Sequence, residues 1–253
     1  MGELTQIKYE RDGAVATLTL NRDEVLNALS PVLIEETLHL LQEVAQDDSV
    51  RALIVTGDGR AFSAGVDLKY ASSPAYTREV HRKFSEQARE LVKTLETMPQ
   101  VTIAMVRGYC FTGGLELALG CDFILAGDDA LFADTHARLG LTSGWGLSQR
   151  LSRRIGVQRA KAMSYTAKRI GPAEAERIGL ILEHVPSDKL EARVTKLAGE
   201  IAAMNIDSIA GYKMLYRAAL NTGLDDGLAI ESAHKRAKRK APITEPLSNI
   251  LKK

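Results

Sequence analysis

Three short runs constrain this chain more than any other feature: Ala52–Thr56 (ALIVT), Val101–Val106 (VTIAMV) and Asp122–Ala126 (DFILA) are apolar with almost no alternation. A strand that is apolar on both faces needs cover on both, which is the situation of a central strand in a parallel sheet flanked by helices. The intervening segments supply that cover. Leu33, Ile34, Leu38, Leu41 and Val44 recur at helical spacing behind Ser30, suited to cap a helix, and Pro31, suited to its first position. Phe84, Ala88, Leu91, Val92 and Leu95 mark a second helix in the same way. Strands and helices alternate, so the fold class is α/β.

Ahead of the first helix, Ile7–Glu10 and Ala14–Leu20 are β-prone runs around Arg11-Asp12-Gly13, and Asp-Gly between such runs predicts a tight hairpin. From Gly144 onward the pattern is mostly helical, with segments starting near Gly144, Val157, Pro172, Lys189, Asp207 and Asp225. The segment Ala71–Tyr76 (ASSPAY) favours neither helix nor strand and is expected to be a mobile loop bordering a ligand.

A length of 253 residues, 45% hydrophobic and 26% charged, suits one substantial domain and excludes disordered and fibrous classes. Thirty-three basic against 32 acidic side chains give a net charge of +1, so no global field draws the chain to nucleic acid or to a membrane. Cys110 and Cys121 lack the spacing of a disulfide framework or a zinc site, and no metal is expected. The polar start MGELTQIKYERDG and the absence of a long apolar run make a soluble, cytoplasmic protein the expectation.

Two glycine-bearing stretches carry the chemistry. In Gly57–Lys69 (GDGRAFSAGVDLK) a strand ends in glycines, and the tight passage Ser63-Ala64-Gly65-Val66 precedes a helix start at Asp67. Alone, this reads as an ordinary strand-to-helix turn. In Gly108–Asp122 (GYCFTGGLELALGCD), Gly113-Gly114 open a helix that carries Glu116 among apolar residues. A helix N-terminus offers unpaired amides and a positive dipole end. Amides from two such segments meeting at one point form an oxyanion hole, in which losing one donor costs roughly 2.7–4 kcal/mol of transition-state stabilisation. Close helix–sheet packing would explain the glycines equally well, but not a carboxylate in an apolar helix, where burying a charge is costly.

With AFSAGVDLK followed by GYCFTGGLELALGCD, preceded by NRDEVLNAL (Asn21–Leu29) and continued by Leu131–Gly156 and Ala210–Leu228, the chain resembles the enoyl-CoA hydratase/isomerase (crotonase) superfamily over roughly residues 5 to 230. The resemblance implies a spiral of repeated ββα units over residues 1–195 and a C-terminal helical trimerisation region over 196–253. It also implies an acyl-CoA substrate, a homotrimer or hexamer, and no cofactor beyond the coenzyme A moiety of the substrate. The backbone N–H groups of Val66 and Gly113 would form the oxyanion hole. Ala64, Asp67 and Leu68 would line the adenine side of coenzyme A, and Glu24, Val25 and Leu26 its phosphate and pantetheine end. Asp23 stands where the family often has proline, which is expected to loosen that turn.

Glu116 matches the first of two carboxylates used by family hydratases. At the second position this chain departs from the pattern, with Asp134-Thr135-His136 bringing a histidine into register. His136 either takes the second acid/base role or is a structural histidine held by Asp134 or a backbone carbonyl. Trp145, between Gly144 and Gly146, is expected to wall the acyl pocket. The leading expectation is hydration of trans-2-enoyl-CoA to 3-hydroxyacyl-CoA, an enoyl-CoA hydratase-like lyase activity of fatty acid metabolism. Isomerisation, decarboxylation, thioester hydrolysis and non-catalytic acyl-CoA binding are the alternatives. The basic run His234–Lys240 (HKRAKRK) departs from the family's ending. Its expected role is contact with coenzyme A phosphates rather than with RNA, since charge runs are usually solvated faces.

Overall fold

A computed structural model describes residues 4–234. In chain order its elements are β1 (Ile7–Asp12), β2 (Val15–Leu20), a 3₁₀ turn (Asp23–Val25), α1 (Pro31–Ala45), β3 (Ala52–Gly57), β4 (Ala61–Ser63), α2 (Leu68–Ala71) and α3 (Arg78–Thr97). They continue with β5 (Val101–Val106), β6 (Tyr109–Phe111), α4 (Gly113–Gly120), β7 (Phe123–Gly127), β8 (Leu131–Ala133) and a 3₁₀ turn (His136–Leu139). The last are α5 (Leu147–Ile155), α6 (Val157–Thr166), α7 (Pro172–Arg177), β9 (Glu183–Val185), α8 (Leu190–Ala202), α9 (Ile206–Ala219) and α10 (Leu224–Ala233).

The main sheet runs in the order β1-β2-β3-β5-β7-β9, antiparallel between β1 and β2 and parallel at every other pairing. The three apolar runs form its centre for the reason their composition demands. Along β3, Leu53 and Val55 face a core that includes α1, α3 and α4, while Ala52 and Ile54 face Leu190, Val194 and Ala198 of α8. Gly13, at φ +56°, turns the β1–β2 hairpin. Ser30 caps α1 by accepting the Leu33 N–H at 3.1 Å.

A second, three-stranded parallel sheet, β4-β6-β8, completes the architecture. Each central strand of the main sheet is followed by a short strand of the small one and then by helix, so β3-β4, β5-β6 and β7-β8 trace successive turns of a ββα spiral. The division expected at residues 195/196 falls inside α8, which packs across the main sheet. Beyond it, α9 is tied to the core by Lys213, whose Nζ donates to the Gln100 carbonyl and to Asp122 Oδ2, both at 2.8 Å.

Candidate active site

The small sheet brings the expected residues together. Its three strands are parallel neighbours, so their C-terminal ends lie side by side: β4 leads into Ala64–Val66, β6 into Thr112, Gly113 and α4, and β8 into Asp134–His136. Loops leaving the carboxyl ends of parallel strands are where α/β folds place their ligands. The first two segments touch: a Cβ built on Gly65, at φ +98°, would lie 1.9 Å from Thr112 Oγ1. Thr112 itself has φ +46° and ψ −112°, a strained conformation for a β-branched residue, immediately before the first turn of α4. Among the described residues, the N–H groups of Val66 and Gly113 donate to no protein acceptor. Both are therefore free to serve an oxyanion. Val66 and Thr112 line the cavity described below, whereas Gly113 sits behind them, where a Cβ would lie 2.7 Å from the Trp145 ring.

Glu116 lies one turn into α4 and is 2% exposed. Its Oε1 accepts the backbone N–H groups of Trp145 (2.9 Å) and Leu147 (3.1 Å). To present those amides, the chain stays non-helical through Gly144-Trp145-Gly146, with Gly146 at φ +106°. Hence α5 starts at Leu147 rather than near Gly144. Oε2 remains, 3.9 Å from His136 Nε2. Burial pushes the Glu116 carboxyl above the usual range and outweighs the opposing pull of the Leu147 and Trp145 amides and of His136.

On the other side of the imidazole, Asp134 Oδ1 lies 2.6 Å from His136 Nδ1 and accepts the His136 backbone N–H at 3.2 Å. Burial alone lowers the imidazole pKa, but the hydrogen bond and charge of Asp134, with the charge of Glu116, raise it above its ordinary value. His136 thus lies between Asp134, at 2.6 Å, and Glu116, at 3.9 Å. From the sequence, Asp134 is offered only as the partner of a structural histidine and not as a residue of the site.

These groups border a cavity of about 1310 Å³. Its walls include Ala64, Val66, Leu68, Tyr76, Phe84 and Trp145. Trp145, 6% exposed, meets Phe84 edge to face at 5.4 Å between ring centroids, and Phe84 meets Tyr76 at 6.2 Å. Trp145 therefore lines the cavity. Ala71 and Tyr76, the ends of the ASSPAY segment, also border it. Phe84 read from sequence only as a core position, because an apolar residue on a helix gives the same signal whether it meets core or cavity.

The expected coenzyme A segments are zipped together. Ala64 N–H donates to the Leu26 carbonyl (3.0 Å), Leu29 N–H to the Gly65 carbonyl (2.8 Å), and Asp67 N–H to the Leu29 carbonyl (3.0 Å). Glu24 and Val25 are exposed on their 3₁₀ turn, Leu26 follows at φ +57°, and Leu68 is 52% exposed at the cavity rim. Asp67 is not a cavity wall: its carboxylate caps α2 through the Tyr70 N–H and pairs with Arg22 at 3.0 Å. The turn at Asp23 is not loosened. Asp23 Oδ1 accepts the Arg60 N–H at 3.0 Å, so the side chain that replaces proline clasps the start of β4 instead. Residues 235–240 of the basic run lie outside the described residues.

Among the described residues no cluster of three or more His, Cys, Asp or Glu is arranged to hold a metal ion, and no helix is long and apolar enough to cross a membrane. A family model described as enoyl-CoA hydratase/isomerase matches residues 10–245. The relative named "Probable enoyl-CoA hydratase 1, peroxisomal" from Arabidopsis thaliana is 35% identical over 236 residues, covering 92% of this chain and 85% of that protein. A short-chain-enoyl-CoA hydratase of Clostridium acetobutylicum is 33% identical, covering 91% of this chain and 88% of its own. The crystal structure of an enoyl-CoA hydratase from Bacillus anthracis superposes with a TM-score of 0.87 at 33% identity, over 90% of this chain and 88% of that one.

Proposed function

The chain belongs to the enoyl-CoA hydratase/isomerase (crotonase) family, and from that premise we propose that it hydrates trans-2-enoyl-CoA thioesters to 3-hydroxyacyl-CoA, as an enoyl-CoA hydratase-like lyase. One observation carries the reading: a buried carboxylate, Glu116, fixed through one oxygen, turns its other oxygen to an imidazole at a cavity lined by Val66, whose amide, like that of Gly113 just behind it, is unengaged. In this reading the thioester oxygen lies against the N–H groups of Val66 and Gly113. Water adds to the β-carbon as it gives a proton to the Glu116/His136 pair, and the electron pair of the double bond moves onto the thioester oxygen. The enolate is then protonated at the α-carbon by the same pair. Glu24, Val25, Leu26, Ala64 and Leu68 contact the coenzyme A portion, largely through main chain. The acid/base pair and the amides supply the chemistry with no group beyond coenzyme A itself.

Loss of the conjugated-enoyl absorbance of crotonyl-CoA and longer trans-2-enoyl-CoAs tests the reading. Turnover by the wild-type protein supports it. Acyl-CoA binding by calorimetry without turnover overturns it, in favour of another enolate reaction or of a binding protein.

Trp145 and Phe84 close the apolar side of the cavity, so acyl length is set there. Replacing Trp145 with phenylalanine makes room for about two more methylene groups, each worth roughly 1–3 kcal/mol of discrimination in a pocket that fits them. The expected result is a rise of about tenfold or more in the kcat/KM ratio of octenoyl-CoA over crotonyl-CoA, measured by the same absorbance assay.

Tyr212, Met214, Tyr216, Leu220, Leu224 and Leu228 on α9 and α10 are exposed, a large apolar surface for one chain to leave to water. This supports assembly as a homotrimer or a hexamer built on those helices, to be read as the mass in light scattering. Two free, buried cysteines fit a reducing, cytoplasmic setting.

A further inference from the structure

We propose that Asp134 is the positioning residue of the site: it fixes His136 in the Nδ1–H tautomer, so that Nε2 is the nitrogen turned to Glu116 and the cavity. The proposal rests on the reading of Glu116 and His136 as the acid/base pair, and extends it to the residue that decides which atoms exchange protons.

A carboxylate only accepts hydrogen bonds, so the 2.6 Å contact between Asp134 Oδ1 and His136 Nδ1 places a proton on Nδ1. The same oxygen also accepts the His136 backbone N–H at 3.2 Å, which fixes the Asp134 carboxylate where the ring meets it. Asp134 cannot swing away. It is 3% exposed, directly after β8, so the surrounding packing holds it. Glu116 is constrained in the complementary way, with Oε1 occupied by two amides and Oε2 left over. The transferring atoms are therefore defined on both sides: Nε2 and Oε2, 3.9 Å apart. That separation is too long for a direct hydrogen bond and suits one oxygen atom bonded to both.

Hydration needs one acceptor for the proton of water and one donor for the α-carbon, so the pair works with one proton between its two members. The O–H bond of water breaks as the O–Cβ bond forms, and the proton goes to the pair. The enolate then takes a proton from the pair at Cα as the thioester carbonyl re-forms. One proton enters, one leaves, and the pair ends as it began.

The charge that faces the imidazole decides how far in pH this form persists. Glu116 comes from α4 and Asp134 from the residue after β8, and across the cavity α3 carries Arg78, Glu79, His81, Arg82 and Arg89, all exposed. Asp134 is the buried charge in contact with the ring. With Glu116 raised by burial and His136 raised by Asp134, the singly protonated pair has an acid edge above the ordinary glutamate range and an alkaline edge above roughly 6.5. The sign follows directly. Below the window Glu116 is protonated as well and the base is lost; above it His136 is deprotonated and the acid is lost. Removing the Asp134 charge lowers the alkaline edge.

Two measurements test this. In wild-type protein labelled with ¹⁵N-histidine, neutral His136 is expected as the Nδ1–H tautomer, and the Nε2–H tautomer would overturn the proposal even without a variant. In Asp134→Asn, kcat for crotonyl-CoA is expected to fall about 100- to 1000-fold with KM little changed, as when a histidine is held in the wrong tautomer. The alkaline limb of kcat/KM and the His136 titration seen by NMR should both move to lower pH, and Asp134→Glu should recover part of the shift. A folded Asp134→Asn protein with an unmoved alkaline limb and imidazole titration overturns the role of Asp134. Wild-type protein that binds crotonyl-CoA without turning it over overturns the hydratase reading instead, and the NMR measurements still decide the tautomer.

Discussion

Glu116→Gln is expected to lose about 1000-fold or more in kcat for crotonyl-CoA while remaining folded and able to bind acyl-CoA. Glutamine matches glutamate in shape and keeps one oxygen, so the amides of Trp145 and Leu147 retain their acceptor and the entry to α5 is preserved. What is lost is the ability of the second oxygen, the one that faces His136, to take and give a proton. A positioned acid or base contributes about 100- to 10,000-fold, and a buried group shifted toward neutrality belongs in the upper part of that range. Stability should hold or rise slightly, because the variant removes a costly buried charge without opening a cavity. The measurement is steady-state hydration beside a thermal melt and calorimetry with a saturated acyl-CoA. Full turnover would remove Glu116 from the chemistry, and loss of binding together with turnover would make its role structural.

The parts of this protein that were legible in its sequence are those whose signal is long or whose chemistry is conspicuous. β3, β5 and β7 announced themselves because a sheet buried on both faces leaves no room for polar alternation, and α1 because Ser30 and Pro31 mark its start as plainly as its spacing marks its face. Glu116 stood out as a charge in an apolar helix. The small sheet left no such trace: Ala61–Ser63, Tyr109–Phe111 and Leu131–Ala133 are three residues each, too short for a period to register, and β9 is a partly exposed strand of Glu, His and Val. Yet it is the pairing of those short strands that sets Val66, Gly113 and His136 side by side. Asp23 misled for a related reason. A side chain's reach to a backbone amide 37 residues away, at Arg60, is a property of the folded turn and not of the local sequence.

The second large effect should come from a residue with no side chain. Gly65→Ala is expected to reduce kcat about 100- to 1000-fold, the loss associated with one oxyanion-hole donor, because Gly65 sets the direction of the Val66 N–H. At φ +98° an alanine is strained whatever space surrounds it, and here its Cβ would lie 1.9 Å from Thr112 Oγ1. The chain has two ways to relieve that overlap. Gly65 can rotate, which turns the Val66 amide off the thioester oxygen, or Thr112 can retreat, which tilts the first turn of α4 and carries the Gly113 amide with it. Either route disturbs a donor and leaves His136 and Asp134 in place; the first also spares Glu116, whose own N–H donates to the Thr112 carbonyl at 2.9 Å and so follows Thr112 in the second. The double variant Gly65→Ala/Thr112→Ala separates the contributions: it removes the hydroxyl from the overlap but leaves the positive φ. Recovery of about tenfold in kcat over Gly65→Ala alone would assign part of the loss to the collision between the two segments and the remainder to backbone strain. If Gly65→Ala kept wild-type kcat with no change in melting temperature, the Val66 amide would not be stabilising the reacting oxygen, and the two glycine-bearing segments would be close packing and nothing more.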